Sequence, residues 1–319
     1  MNRRSFLNSA AVLGVGTSFL AEAAEKRKES TGRAVSIPQV SVRFVEADGI
    51  NVFYREAGAK DSPVILLLHG FPTSSFQYRE LMPLLADRYR VLAPDLPGFG
   101  FTEVPASRNY RYNFDNLATT ITAFIGKMQL EKFALYVFDY GAPTGFRIAM
   151  AHPEKISSII TQNGNAYEEG LGDAWSPIRR YWRDPSVENR NALREALSPE
   201  AIKQQYVETP HPELVKPEGY TLDSALMSRP GNVGIQLDLF LDYANNVKLY
   251  PAFQRYFREQ KPKTLAVWGR FDPFFIPAGA KAFGRDNPNA SVHLIDAGHF
   301  ALETHVLTVA EVMRDFLAS

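Results

Sequence analysis

The chain contains no cysteine, so no disulfide can staple it and its stability has to come from a packed core. Charge of either sign is not in excess. Lys+Arg and Asp+Glu number 35 each, which leaves no electrostatic footprint for nucleic acid or an acidic membrane surface. The apolar stretch near the start, Ala10 to Leu20, is about eleven residues long and too short to span a bilayer. No internal repeat and no low-complexity tract occurs. HExxH is absent and no paired-ligand spacing appears, so neither a metal nor a cofactor is expected. What remains is an ordinary globular composition, 45% hydrophobic and 22% charged over 319 residues, enough for one large α/β domain or two smaller ones.

Residues 1–23 are set apart by their pattern. A charged start is followed by the apolar stretch and then by Ala21-Glu22-Ala23, a signal-peptidase pattern with cleavage expected after Ala23. The run Asn2-Arg3-Arg4-Ser5-Phe6-Leu7 resembles a twin-arginine export signal. It predicts delivery by the twin-arginine machinery from a bacterial cytoplasm to a periplasmic or secreted location, with no membrane anchor once the signal is removed. Residues 24–40, with Lys26-Arg27-Lys28 and scattered Glu and Ser, read as a solvated linker.

Beyond the linker the hydrophobic pattern alternates between two periods. Apolar alternation on either side of Asp48-Gly49 predicts a hairpin with strands near Val42–Val45 and Ile50–Glu56. PVILLLHG, RYRVLAPD and FALYVFD are continuous apolar runs, the pattern of strands covered on both faces. Helical periodicity follows over Phe114–Met128, with Asn113 as its cap, and over Pro143–His152. This β–α rhythm predicts a mostly parallel, doubly wound sheet. The rhythm breaks after Asn163, the end of the sixth core strand. Residues 164–250 read as a helical cap rich in aromatics, and KTLAVWG and SVHLID then restore the strand pattern before a closing helix over Thr304–Ala318. The core is accordingly expected in two pieces, 41–163 and 251–319.

Ligands of open α/β sheets gather at the carboxyl ends of the strands. Four reactive groups fall at such ends: His69, Asp139, Asp272 and His299. Asp139 in VFDYG is the unusual one, a carboxylate directly after a run that reads as buried. An unpaired carboxylate there is costly. His69 and Asp95 read as turn-stabilising residues, and His152, His211, His293 and His305 as surface or packing residues. Glu303, four residues after His299, reads either as a neighbour of that histidine or as a helix-start charge.

The order Asp139…Asp272…His299 matches the nucleophile–acid–histidine order of α/β-hydrolases. Together with LLLHGFPTSSFQYRELMPLLA, VLAPDLPGFG, VFDYGAPTG, WGRFDPF and DAGHFALE, it makes the chain from about Val42 onward resemble that superfamily. Asp at the elbow is similar to the branch of epoxide hydrolases and haloalkane dehalogenases. Val137 departs from the pattern, which has glycine there, and no G-x-S-x-G occurs anywhere, against a serine esterase. The resemblance implies that Asp139 attacks carbon to form an alkyl ester and that His299, held by Asp272, activates the water that cleaves it. It further implies that the backbone N–H groups of Phe71 and Tyr140 form the oxyanion hole.

The two activities of this branch differ in what receives the leaving group. Dehalogenases usually place Trp after the nucleophile and Asn after HG, where this chain has Tyr140 and Phe71; Trp175 or Trp182 of the cap would have to supply an N–H. Epoxide hydrolases use cap tyrosines. LFLDYANN resembles the motif that carries one, Tyr243, and Tyr181 is the candidate for the other, with Tyr206 and Tyr167 as competitors. The resemblance thus favours a cofactor-free hydrolase of small-molecule epoxides, with a haloalkane or haloacid dehalogenase as the alternative. A non-catalytic ligand-binding protein on the same fold is the reading from another class.

Overall fold

The computed structural model describes residues 39–319; the export signal, the Ala23 cleavage site and nearly all of the linker lie outside them. The chain enters the fold as a hairpin, β1 (Ser41–Ala47) and β2 (Ile50–Ala57), turned through Asp48 and Gly49, both at positive φ, as a two-residue hairpin turn requires. β3 (Val64–Leu68), α1 (Leu81–Leu85), β4 (Arg90–Pro94), α2 (Phe114–Lys127), β5 (Phe133–Phe138), α3 (Gly141–Ala151) and β6 (Ile156–Gln162) follow. With β7 (Thr264–Gly269) and β8 (Ala290–Ile295), the sheet order is β1-β2-β4-β3-β5-β6-β7-β8. Antiparallel pairing is confined to β1 with β2 and β2 with β4, and every other neighbour pair is parallel.

The continuous apolar runs form the centre of this sheet. Leu66, Leu67 and Leu68 of β3 and all six residues of β5 are buried because helices cover both faces. Each such large aliphatic side chain contributes about 1.5–3 kcal/mol by leaving water. α2 starts where its cap predicts: the Asn113 side chain accepts a hydrogen bond from the Asn116 N–H at 2.8 Å.

Between β6 and β7 (Thr264–Gly269) the chain is helical: α4 (Ser176–Arg183), α5 (Val187–Ala192), α6 (Pro199–Val207), α7 (Pro217–Met227) and α8 (Asn232–Gln260), with short 3-10 turns between them. The expected cap boundary at residue 250 falls inside a helix. α8 runs on unbroken through Tyr250 and Pro251 to Gln260, its buried Phe253 and Phe257 packing on Phe146 of α3. α9 (Pro277–Asp286), β8 (Ala290–Ile295) and α10 (Ala301–Ala318) complete the chain. α10 begins three residues ahead of the expected Thr304 and carries a non-helical residue, His305. Among the described residues no helix is long and apolar enough to cross a membrane.

Candidate active site

Asp139 stands between β5 and α3 at φ 47°, in the left-handed region that a non-glycine residue enters at a cost of about 1–3 kcal/mol. The surroundings enforce it. The Phe71 N–H donates to Asp139 Oδ1 at 2.6 Å, and the loop can come that close because residue 70 is glycine: a Cβ there would lie 2.2 Å from the same oxygen. Val137, the departure from the usual glycine, is accommodated from the helix side. A Cβ on Gly145 would fall 2.6 Å from Val137 Cγ1, so the small residue has moved across the strand–helix contact.

Asp139 is buried, and burial pushes its carboxyl up to about 6. His299 and the N–H groups of Phe71 and Tyr140 oppose that rise by favouring the ionised form. An acceptor-only carboxylate thus already occupies the donors that an oxyanion on the same atom would need.

His299 follows β8 and is also buried. Its Nδ1 lies 2.8 Å from Asp272 Oδ2, and its ring is boxed by Phe138, Phe274, Phe275 and Phe300 at centroid distances of 4.7, 5.3, 6.0 and 5.1 Å. Burial alone would lower its basicity, but the Asp272 carboxylate, through charge and hydrogen bond, and Asp139 raise it above the ordinary imidazole value. Asp272, after β7, accepts on its other oxygen from the Phe274 N–H at 2.8 Å.

A residue that carried no site reading in the sequence completes this group. Asn163, at the end of β6 and also left-handed with φ 46°, donates from Nδ2 to Asp272 Oδ2 at 2.7 Å. It accepts from the Gly269 N–H at 3.0 Å. Its only trace in the sequence is that the strand rhythm stops there. His69 and Asp95 sit beneath the site as braces. His69 Nε2 accepts from the Leu96 N–H at 2.9 Å, and Asp95 accepts from the N–H groups of Ser75 and Phe101 at 2.7 and 2.8 Å. Glu303 is held by Arg79 through two bonds of 2.9 and 2.7 Å.

Asp139, Tyr140 and His299 line a cavity of about 320 Å³ under the cap. Its walls are largely apolar, with Phe71, Trp175, Leu193, Phe240 and Phe274 among them, and Glu195 and Gln205 are its polar cap residues. Neither of the cap tyrosines singled out in the sequence, Tyr243 or Tyr181, is among the residues lining this cavity. The Tyr243 hydroxyl is buried against that of Tyr250 at 3.3 Å, and the Tyr181 hydroxyl accepts from Arg190 at 2.9 Å. Of the two competitors, Tyr206 donates to Asp223 and Tyr167 packs on Phe283. The cap indoles are engaged as well. Trp175 Nε1 donates to the Phe274 carbonyl at 3.0 Å and Trp182 Nε1 to the Phe240 carbonyl at 2.7 Å. Among the described residues no group of three or more His, Asp or Glu side chains is gathered as a metal site would require.

A strand-end carboxylate facing a histidine–carboxylate pair under a helical cap defines a hydrolase. The chain belongs to the alpha/beta hydrolase fold family, which matches residues 63–306. It is 51% identical over 278 residues to an uncharacterised hydrolase of Saccharomyces cerevisiae, covering 85% of this chain and 94% of that one. It is 24% identical over 286 residues to epoxide hydrolase 2 of Caenorhabditis elegans, covering 86% and 79%. The crystal structure of the haloalkane dehalogenase DbeA from Bradyrhizobium elkani superposes with a TM-score of 0.71 at 20% identity, over 88% of this chain and 99% of that one, a likeness of fold.

Proposed function

We propose that this hydrolase opens epoxides of small or medium size through an alkyl ester on Asp139. The observation that carries the reading is the position of the Asp139 carboxylate, one oxygen on the Phe71 N–H, in the same apolar cavity as His299. An ionised carboxylate needs no deprotonation to attack carbon. The ring C–O bond breaks as the new ester bond forms, and the alkoxide takes a proton. That proton comes from water, and the hydroxide left behind is neutralised when His299 gives up its proton at the end of the cycle. Neutral His299, its basicity raised, withdraws a proton from a second water, whose oxygen attacks the ester carbon of Asp139. The oxyanion formed there meets the Phe71 and Tyr140 N–H groups, and collapse releases the diol and restores the carboxylate.

Epoxide is favoured over halide because a departing halide needs N–H donors, and both cap indoles already donate to carbonyls. A single turnover in oxygen-18 water, followed by peptide mass spectrometry, should place the label in the Asp139 carboxylate. Active enzyme without that label would refute the covalent route. A paired screen should score diol from epoxides and no halide from halogenated compounds; halide release without diol would reverse the substrate assignment. Asp139→Ala should abolish turnover, and an unchanged biological effect would instead support a binding protein.

A further inference from the structure

We infer that the cap segment Tyr206–Thr209 is a positioning element for His299, so that the base is held in register by the same helix that forms part of the cavity wall. The inference rests on the covalent reading above, because it assigns the segment to the histidine-dependent half of that cycle.

Asp272 makes the one side-chain hydrogen bond to the imidazole, at Nδ1; the rest of the hold on the ring and its loop is packing and backbone, with the Gln162 amide donating to the His299 carbonyl at 3.3 Å. The residues on either side of His299 are both gripped from the cap. On one side the Gly298 N–H donates to Thr209 Oγ1 at 3.3 Å, and the Glu208 carbonyl presses so close that a Cβ on Gly298 would lie 2.2 Å from its oxygen. On the other side the ring of Phe300, edge-on to His299, is covered by the ring of Tyr206, with centroids 3.8 Å apart and planes 9° from parallel.

Tyr206 is itself anchored. Its hydroxyl donates to Asp223 on α7, and both residues are buried. The α6 helix that ends at Tyr206 and Val207 also presents Ala201 and Gln205 to the cavity. One face of α6 therefore meets the substrate while its end holds the histidine loop. A displacement of the wall by as little as an ångström would be felt where proton transfer depends on alignment.

Mere core packing by Tyr206 would lower stability and slow both chemical steps together. Positioning of His299 as the base slows cleavage of the ester selectively, because nucleophilic attack is made by Asp139. The test measures ester formation and ester cleavage separately, by rapid quench and mass spectrometry with an epoxide, for the full chain and three variants. His299→Gln sets the reference and should accumulate ester. Tyr206→Leu should slow cleavage by about 10-fold or more while formation changes by less than about three-fold, and Tyr206→Phe, which keeps the stacked ring, should restore cleavage. Thr209→Val, which removes the hydroxyl that the Gly298 N–H donates to, should slow cleavage in the same direction if Tyr206→Leu does not fold. Equal slowing of both steps, or unchanged cleavage in Tyr206→Leu and Thr209→Val while His299→Gln accumulates ester, would overturn the positioning role. Failure of His299→Gln to accumulate ester would overturn the covalent reading, and this inference with it.

Discussion

Asp272 Oδ2 is shared: it lies 2.8 Å from His299 Nδ1 and receives the Asn163 amide at 2.7 Å. The carboxylate is thereby locked in one rotamer, and the proton on His299 Nδ1 has one place to point. Asn163→Ala removes a hydrogen bond to a charged group, on the order of 1.5 kcal/mol. The expected result is ester cleavage slowed about 10-fold with ester formation little changed, read by the same quench experiment.

Tyr243→Phe and Tyr181→Phe should leave kcat for an epoxide within about three-fold of the parent, since neither residue lines the cavity and their hydroxyls meet Tyr250 and Arg190. Each should lower stability by roughly 0.5–1.5 kcal/mol, the worth of one net hydrogen bond. A large loss of kcat with unchanged stability would return a ring-opening role to the cap.

Asp139 has a folded-state pKa raised to about 6, by burial above all. A group raised in this way costs the native state stability progressively as pH rises from the ordinary carboxylate range to about 6, because the unfolded chain ionises first. Asp139→Asn should therefore raise Tm more at pH 7 than at pH 4, while removing turnover. Equal shifts at both pH values would show that the carboxylate is not the strained group. In the parent enzyme, ester formation should fall as pH drops through about 6 and the nucleophile protonates.

Asp223 shows the same sign more strongly. Burial raises it to about 8, the hydroxyls of Tyr206 and Thr73 oppose that rise, and the Glu303 and Asp95 charges add to it. Its Oδ1 has no hydrogen-bond partner among the described residues. Through this group stability should decline from the ordinary carboxylate range up to about pH 8. Asp223→Asn should flatten that decline in thermal unfolding across pH 5 to 8.

Much of this was legible along the chain, and for local reasons. Runs such as FALYVF, short and bounded by turn signals, read as strands covered on both faces, and Asn113 at the head of a helical period reads as a cap. The reactive groups fall at strand ends because the sheet puts them there, which is why Asp139, Asp272 and His299 could be singled out in order. The partners of the Tyr243 and Tyr181 hydroxyls were not legible, because a tyrosine's neighbours in sequence do not say which way its hydroxyl turns. Asn163 was passed over because an asparagine after a strand reads as a turn residue, and its partners lie more than a hundred positions away.

The division follows the range of the forces. Residue type and period determined the parallel sheet, the helical insertion and the identity of the carboxylate at the elbow, because propensity, capping and burial act over a few residues. Whether that carboxylate meets an amide donor, and which hydroxyls and indoles stay free to face a substrate, was decided only by tertiary structure. So was the grip of the cap on the residues flanking His299. Those outcomes depend on which distant groups satisfy one another's hydrogen bonds once water is excluded, and that competition is settled when the whole chain packs.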